Sequence, residues 1–441
     1  MKYWPEHVQF IINKLSEHGH EVFAVGGCVR DMILGSTPLD YDLVGSATPA
    51  QISAIFNRTL SVGARHGTVI VLVDDRQVEL STYRYVELDA EVSALERDLA
   101  GRDFTINAMA LDVDGNLYDP WDGQDDLKAG LIRATCDRAE ELFAADPLRM
   151  MRAIRFSVIY NFEIAASTYA AILKMNQLLA EVATERIRDE FNMILVSERA
   201  AQGIKKLQAS GLMAYIIPEL EALVGFDQRN SRHNKDLFEH SLAVLEGVPA
   251  QIDVRLAALL HDIGKPACFT LDENGVGHFY NHHLVGMEIT GIILEGLKYD
   301  GQTIKNVSQL VGSHMTRYAK LRSSSLKQLI KLVGENNLNN MYALQKADIL
   351  GSAPPFDFSE LDKMKQEIDI ILTARQPLII KDLAINGDDL IAIGYTPGKL
   401  LGATLQRLLY AVLENPEQNQ SELLLQMAHS WRNETDQLDF T

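Results

Sequence analysis

Apolar residues near the N-terminus recur at helical spacing and predict a helix over residues 6–19: Val8, Ile11, Ile12 and Leu15. Four short segments rich in β-forming residues follow, at 21–25, 40–44, 68–73 and 77–83. The apolar segment 104–113 fits a helix that runs into a strand. Helices and strands therefore alternate up to about residue 135, and this alternation predicts a small α/β domain.

The pattern changes near residue 139, where apolar residues recur at every third or fourth position, as at Leu148, Met151, Ile154 and Val158. Helical patterns continue to the end of the chain, apart from a glycine-containing loop or hairpin predicted at 272–277. We therefore predict an α/β head followed by three all-α domains. Their bounds are 1–138 for the head, 139–225 for a neck, 226–352 for a third domain and 353–441 for a tail.

The composition fits a globular protein of several domains, since 47% of the 441 residues are hydrophobic and 23% are charged. No apolar run is long enough to span a membrane, and the first ten residues lack the pattern of a signal peptide. Cys28, Cys136 and Cys268 lie too far apart for a disulfide framework or a zinc knuckle. These features predict a cytoplasmic protein.

The net charge of −19 argues against nucleic-acid binding, because contacts with phosphates require Lys and Arg. Net charge is an average over the whole chain, however, and a local basic groove can exist on an acidic protein. The sequence motifs, rather than the net charge, must therefore be used to judge whether the chain binds nucleic acid.

Asp40 and Asp42 are separated by one residue in a segment with β character. On a strand such residues project from the same face, where two carboxylates can hold Mg²⁺ that also binds water and substrate phosphate oxygens. Two metals held in this way would activate a 3′-hydroxyl and stabilise the pyrophosphate that leaves. The alternative is a simple turn, and Glu79 is either a third carboxylate of the site or an exposed strand residue.

A pair of glycines lies upstream of the two aspartates. Gly26 and Gly27 would let the backbone approach a phosphate closely, and Arg30 could donate to it. The sequence GGCVRD followed by LDYD resembles the first signature of class II tRNA nucleotidyltransferases and bacterial poly(A) polymerases of the polymerase-β superfamily. Four further segments resemble the remaining motifs in order: LAGRDFTINA at 99–108, DPWDGQDDLKAGLIR at 119–133, DPLRMMRAIR at 146–155 and ERIRDE at 185–190.

This resemblance implies a template-independent enzyme that adds nucleotides, cytidine first, to the 3′ end of tRNA from CTP and ATP. Arg102 and Asp103 would contact the ribose, although Gly101 stands where the family has a first arginine. Arg152 and Arg155 would serve either the triphosphate or the packing of their helix.

Asp146 and Arg149 lie three residues apart and are expected on one face of a helix, where the resemblance implies that they select the base. Asp146 can accept from the exocyclic amino group of cytosine or adenine, and Arg149 can donate to cytosine N3 and O2 or to adenine N1. Uracil and guanine carry a carbonyl at that position, which a carboxylate repels. The family usually has glutamate where Ala145 stands. Without the motif context, a surface helix with a salt bridge is the alternative.

Only ten residues, 85–94, separate a predicted strand from the next segment. Many CCA-adding relatives have a longer loop here, which helps the pocket to change from cytidine to adenosine, so the short segment resembles the CC-adding subgroup. Such an enzyme would leave the final adenosine to a separate A-adding enzyme. Complete CCA addition is the alternative.

A second set of residues resembles the ligands of the HD phosphohydrolase superfamily, in the order H…HD…D: His240, His261, Asp262 and Asp348. His283 and His314 would extend the site to a second metal. These ligands suit Mn²⁺, Ni²⁺, Fe or Zn²⁺ better than Mg²⁺ alone, and a bound metal would activate water for phosphoester cleavage. The implied activity is that of a phosphatase or 2′,3′-cyclic phosphodiesterase; a helical scaffold without metal is the alternative.

The tail segment 383–405 resembles the C-terminal region of HD-containing bacterial relatives, where spaced glycines would bring backbone N–H groups near the phosphates of the tRNA elbow. Plain helix packing is the alternative. Two other functions stay open, a poly(A) polymerase and an HD phosphohydrolase whose head only binds RNA. The acidic segment 434–440 argues against the first, and the presence of both Asp40 and Asp42 argues against the second.

Overall fold

A computed structural model describes residues 4–61, 67–84, 92–135, 138–229, 235–316 and 323–438. The chain forms two units, Met1–Ile216 and Ile217–Thr441. The first contains a mixed sheet with helices, and the second is almost entirely helical. The predicted fold class, an α/β head followed by helical regions, is therefore confirmed.

Seven strands form the sheet of the first unit: β1 Val22–Val25, β2 Asp42–Gly45, β3 Thr59–Ser61, β4 Thr68–Val73, β5 Arg76–Thr82, β6 Ala110–Leu111 and β7 Leu117–Tyr118. Their order is β3-β4-β5-β2-β1-β6-β7. Strand β2 is parallel to β5 and antiparallel to β1, and this register sets Asp42 opposite Glu79. A separate parallel pair consists of β8 Leu131–Ile132 and β9 Glu163–Ile164.

Ten helices of the described first unit surround this sheet or follow it: α1 Glu6–Glu17, α2 Gly27–Ile33, α3 Pro49–Ile55, α4 Ala94–Ala100, α5 Gly123–Ala129, α6 Ala139–Ala145, α7 Leu148–Ile159, α8 Ala166–Met175, α9 Thr184–Leu195 and α10 Ala200–Ala209. Thr48 and Ser93 begin α3 and α4 with capping boxes, in which each side chain accepts from the backbone N–H three residues ahead.

Helix α7 carries the apolar pattern that predicted it, and the four residues of that pattern are all buried: Leu148, Met151, Ile154 and Val158. The helix packs against α9 and α10. Arg149, Arg152 and Arg155 recur at every third position and therefore share another face of α7.

The second unit contains ten described helices: α11 Leu237–Glu246, α12 Ile252–Leu260, α13 His282–Gly296, α14 Gly301–Ser313, α15 Ser323–Val333, α16 Leu338–Gly351, α17 Ser359–Thr373, α18 Gly387–Ala392, α19 Lys399–Glu414 and α20 Ser421–Leu438. Strands β10 Phe269–Leu271 and β11 Gly277–Phe279 form the predicted hairpin around 272–277. Helix α12 packs against α11, α14 and α16. Helices α18 to α20 share a separate apolar core that includes Leu390, Leu408 and Leu424.

The prediction of a helix at the start of 104–113 is wrong. Phe104 is extended and bridges to Ala134, so that only a 3-10 turn, Thr105–Asn107, precedes β6. Most of the short segment 85–94 and Cys136 lie outside the described residues. No helix in the described part of the chain has the length and apolar character needed to cross a membrane.

Candidate functional site

The first unit contains a polar cavity of about 450 Å³. Seven of its lining residues are arginines: Arg30, Arg84, Arg102, Arg149, Arg152, Arg155 and Arg186. Three carboxylates face them, those of Asp42, Asp103 and Asp146. The cavity is therefore locally basic on a chain whose net charge is −19, and it fits a strongly anionic ligand.

The two predicted metal-binding aspartates lie at the start of β2. Tyr41 is buried against Trp4, so that Asp40 and Asp42 on either side of it remain exposed. Asp42 lines the cavity and Asp40 does not. Although Asp42 keeps an exposed surface, it is partly enclosed by the surrounding protein, and this desolvation raises its pKa; Arg102 opposes the shift and the charge of Asp40 adds to it. Burial and the charges of Asp42 and Asp40 also raise the pKa of Glu79.

The charge of Asp40 disfavours ionisation of Asp42, and the charges of Asp42 and Asp40 disfavour that of Glu79; a hard divalent cation bound to the aspartates would offset this repulsion. Glu79, for which two interpretations were open, lies directly opposite Asp42 in the parallel pair. The residues present therefore fit Mg²⁺, with Asp40 and Asp42 as ligands and Glu79 beside them.

Gly26 and Gly27 connect β1 to α2 and line the cavity. Gly26 has a φ of 75°, in the left-handed region that favours glycine. A Cβ at this position would lie 2.9 Å from Nη1 of Arg102, so glycine also allows the arginine to pack on the loop. Arg102 is held by Asp98, which accepts from its Nε at 3.1 Å and from its Nη2 at 3.0 Å.

A hydrogen-bonded chain links three of the motifs. Arg30 donates to Oδ1 of Asn107 at 2.6 Å, and Asn107 donates to Oδ1 of Asp103 at 2.9 Å. Oδ2 of Asp103 accepts from Nε of Arg152 at 2.8 Å and from its Nη2 at 2.5 Å. Burial opposes ionisation of Asp103, but Arg152 and Asn107 outweigh it and lower the pKa of that carboxyl group.

Asp103 therefore positions Arg152, and since it also lines the cavity, its contact with the ribose stays a prediction. Asn107 was missed at the sequence level, although it lies within the quoted segment LAGRDFTINA. Arg84 and Arg186 also line the cavity and were missed. Arg186 belongs to the quoted segment ERIRDE.

Asp146 and Arg149 both line the cavity, but they do not share a helix. Asp146 is extended at the end of α6, since Pro147 follows it and disfavours a helical conformation. Oδ2 of Asp146 pairs with Nη2 of Arg186 at 2.9 Å. Arg149 donates from Nη2 to the backbone oxygen of Gly101 at 2.9 Å.

Glu190 on α9 holds the other two arginines of α7. Its Oε2 lies 2.8 Å from Nε of Arg155, and its Oε1 lies 3.6 Å from Nη1 of Arg152. Burial raises the pKa of Glu190, and the two arginines oppose that shift. Arg152 and Arg155 thus serve helix packing, one of the two roles that the sequence left open; they also line the cavity, and the other role, binding the triphosphate, stays a prediction.

The second unit contains a buried cluster of six potential metal ligands: His240, His261, Asp262, His282, His314 and Asp348. Oδ2 of Asp262 lies 3.2 Å from Nε2 of His261, and Oδ1 lies 3.4 Å from Nε2 of His282. His240 lies beside His261, and the Nε2 atoms of these two histidines are 3.2 Å apart. The carboxylate of Asp262 therefore lies between two histidine pairs.

The fit of this cluster to a metal follows from the outer nitrogens of its histidines. Nδ1 of His261, His282 and His314 lies 2.9, 2.8 and 2.7 Å from a backbone oxygen of its own turn, so Nε2 faces the cluster. Nζ of Lys265 lies 2.7 Å from Oδ2 of Asp262. Burial opposes ionisation of Asp262, but His261 and Lys265 hold its pKa well below the usual range.

The prediction of His283 as a ligand is wrong in this geometry. His282, its neighbour, faces the cluster, and its Nε2 lies 3.2 Å from Nε2 of His314. Asn281 has a left-handed conformation directly before α13, and His282, the first residue of that helix, follows it. The other predicted residues, His240, His261, Asp262, Asp348 and His314, lie together.

Three family models match the chain. The poly A polymerase head domain covers residues 22–133, the RNA and SrmB-binding site of polymerase A covers 161–223, and tRNA nucleotidyltransferase domain 2 covers 284–428. The fold and the cavity thus define a nucleotidyltransferase with a head of the poly A polymerase type.

Relatives that match nearly the full length of the chain show to which family of nucleotidyltransferases it belongs. The CCA-adding enzyme of Limosilactobacillus reuteri is 33% identical over 94% of this chain and 94% of its own length. That of Leuconostoc mesenteroides is 29% identical over 97% of this chain and 96% of its own. The structure of the Bacillus stearothermophilus CCA-adding enzyme with CTP has a TM-score of 0.71 and 27% identity, and covers 98% of both chains. The chain belongs to the family of CCA-adding enzymes, the class II tRNA nucleotidyltransferases.

Proposed function

We propose that this protein adds cytidines to the 3′ end of tRNA, with CTP as substrate and without a nucleic-acid template. The observation that carries the proposal is one cavity in which Asp42, Asp146 and Arg149 line a wall rich in arginine. The name of the B. stearothermophilus structure, a CCA-adding enzyme in complex with CTP, supports it.

The arginines of the cavity other than Arg149 and Arg186 would bind the triphosphate. Guanidinium groups donate two parallel hydrogen bonds to phosphate oxygens, and Arg102 stands beside Asp42, where the reacting phosphate would lie. Asp146 and Arg149 would select the base through its amino group and ring nitrogen. Arg149 uses one of its five N–H donors on Gly101, which leaves others for the base.

The catalytic carboxylates would be Asp40 and Asp42, which fit Mg²⁺. Divalent cations bound there would act as Lewis acids and stabilise the charge on the phosphate, and we propose that two such cations take part. The 3′-hydroxyl oxygen of the primer forms a bond to the α-phosphorus, the bond to the β-phosphate breaks, and pyrophosphate leaves. The hydroxyl proton passes to solvent.

Three tRNA transcripts test the proposal and the length of the added sequence. They end before the CCA, after one C and after CC, and each receives CTP, ATP or both with Mg²⁺. The short segment 85–94 favours addition of two cytidines and no adenosine, which would require a separate A-adding enzyme. The names of the relatives favour complete CCA.

Extension by cytidine that is absent in Asp40→Ala is the expected result. Adenosine on the CC-ended transcript would identify the complete reaction, and its absence would identify the CC-adding one. A long adenosine tract on any RNA would instead identify a poly(A) polymerase. No extension at all would contradict the proposal and leave the second cluster as the remaining candidate active centre.

The cluster of the second unit favours a second function, metal-dependent hydrolysis of a phosphoester. Six ligands of imidazole and carboxylate type, each at most 7% exposed, suit Mn²⁺, Ni²⁺, Fe or Zn²⁺, and Mg²⁺ less well. A metal bound there would supply an activated water. Asp262, between the two histidine pairs, would be the shared ligand of two ions.

Metal content tests this second function directly. After loading with Mn²⁺ or Zn²⁺ and dialysis, the protein should retain about one or two ions per chain, because ligands fixed by hydrogen bonds bind tightly. His261→Ala should lose most of this metal, whereas His278→Ala, which removes a histidine paired with Asp272 outside the cluster, should not. Cleavage of 2′,3′-cyclic AMP should follow the metal content. Retention of all metal by His261→Ala would contradict the site.

A further inference from the structure

Helix α9 contributes Arg186 to the lining of the cavity, and Glu190 on the same helix contacts arginines that line it. Arg186 and Glu190 are four residues apart and therefore share one face of the helix. Glu190 pairs with Arg152 and Arg155, which line the cavity on α7. Arg186 pairs instead with Asp146, at 2.9 Å between Nη2 and Oδ2.

The direction of the Asp146 carboxylate depends on such contacts, because its backbone is extended and lies outside both neighbouring helices. Oδ1 accepts from the backbone N–H of Leu148 at a long 3.3 Å. The ion pair with Arg186 is shorter and charge-assisted, so it is the stronger of the two contacts.

We propose that Arg186 is a positioning residue for nucleotide selection, which holds the carboxylate of Asp146 toward the amino group of the incoming base. This inference rests on the proposed function, since it assumes that Asp146 contacts the base. The discrimination against uracil comes from a carboxylate that cannot turn away from a carbonyl. A carboxylate released from Arg186 can rotate toward water, and the penalty for uracil then falls.

The pair contributes little to folding, because the side chain of Arg186 is 53% exposed and that of Asp146 is 29% exposed. Removal of Arg186 should therefore change selection without unfolding the protein. Arg188 on the same helix is a matched control, since it pairs with its neighbour Asp189 at 2.8 Å and does not line the cavity.

The experiment measures kcat and KM for CTP and for UTP on a transcript that lacks CCA, with wild type, Arg186→Ala, Arg186→Lys and Arg188→Ala. In Arg186→Ala the ratio of kcat/KM for CTP to that for UTP should fall about tenfold or more, as expected when one orienting contact is lost. Arg186→Lys should restore part of the ratio, Arg188→Ala should keep it, and the KM for tRNA and the melting temperature should stay at wild-type values.

Asp146→Ala separates failure of the inference from failure of the proposed function. A full CTP preference in Asp146→Ala would show that this residue does not read the base, and would overturn the assignment of Asp146 together with the role of Arg186, while cytidine addition itself would stand. A lowered ratio in Asp146→Ala together with a wild-type ratio in Arg186→Ala would overturn the role of Arg186 alone. A raised KM for tRNA with an unchanged ratio would show that Arg186 contacts the primer and would also overturn it.

Discussion

Replacing Asp42 by asparagine should lower the rate of cytidine addition on the order of a thousandfold, because the variant keeps the shape of the side chain and loses the charge that faces the reacting phosphate. The free energy of unfolding should not fall. Partial desolvation raises the pKa of Asp42 above its usual value, so the folded protein disfavours the charged form relative to the unfolded chain. Removing the charge removes that cost. A single-turnover assay at saturating CTP measures the rate, and urea unfolding measures the stability.

Asp75→Asn is the control for this substitution, since Asp75 lies in the exposed turn between β4 and β5 and does not line the cavity. It should retain the wild-type rate within about twofold, as surface substitutions do. A folded Asp42→Asn protein with more than about a tenth of the wild-type rate would contradict the assignment of Asp42, because a lost charge in a catalytic site costs far more than one factor of ten.

Asp103→Ala should destabilise the first unit by about 3–5 kcal/mol, the usual cost of removing one partner of a buried ion pair. Its carboxylate is 7% exposed and pairs with Arg152, while Asn107 and the backbone N–H of Phe104 also donate to it. The substitution leaves these donors without their acceptor in a buried environment. Thermal and urea unfolding measure the loss.

Asp125→Ala is the matched control, since Asp125 pairs with Lys128 at 3.0 Å on an exposed face of α5. Such a pair contributes about 0–1 kcal/mol. A loss of stability as small in Asp103→Ala as in Asp125→Ala would show that the buried pair with Arg152 is not what holds this region together.

The elements of the first unit were predicted well where one face is apolar. Helix α7 is an example, because its buried positions follow the helical repeat. The 3-10 turn at Thr105–Asn107 was not predicted, since the bridge between Phe104 and Ala134 joins residues far apart in sequence. Local patterns contain no information about such a pairing.

The sequence predicted which residues form the candidate site better than it predicted the hydrogen bonds and ion pairs that these residues make. Gly26, Gly27, Asp42, Asp146 and Arg149 line one cavity, as their order in the sequence had indicated. The bonds of Asp103 and Asp146 to arginines on other helices could not be predicted, because they depend on how α7 and α9 pack. Likewise, two adjacent histidines look alike in a sequence, and only the structure shows that His282 rather than His283 faces the cluster.

The bonds of Asp103 also bear on how the first unit folds. The sequence predicted a boundary between head and neck at 138/139. Asp103 lies before this boundary, and its partner Arg152 lies after it. A chain cut at that boundary would leave a buried carboxylate without its guanidinium. We therefore expect the sheet and helix α7 to unfold cooperatively, so that their most protected backbone amides exchange hydrogen together, through the same opening. Local unfolding of helix α7 would then also remove Arg149 and Arg152 from the cavity that we propose as the nucleotide site.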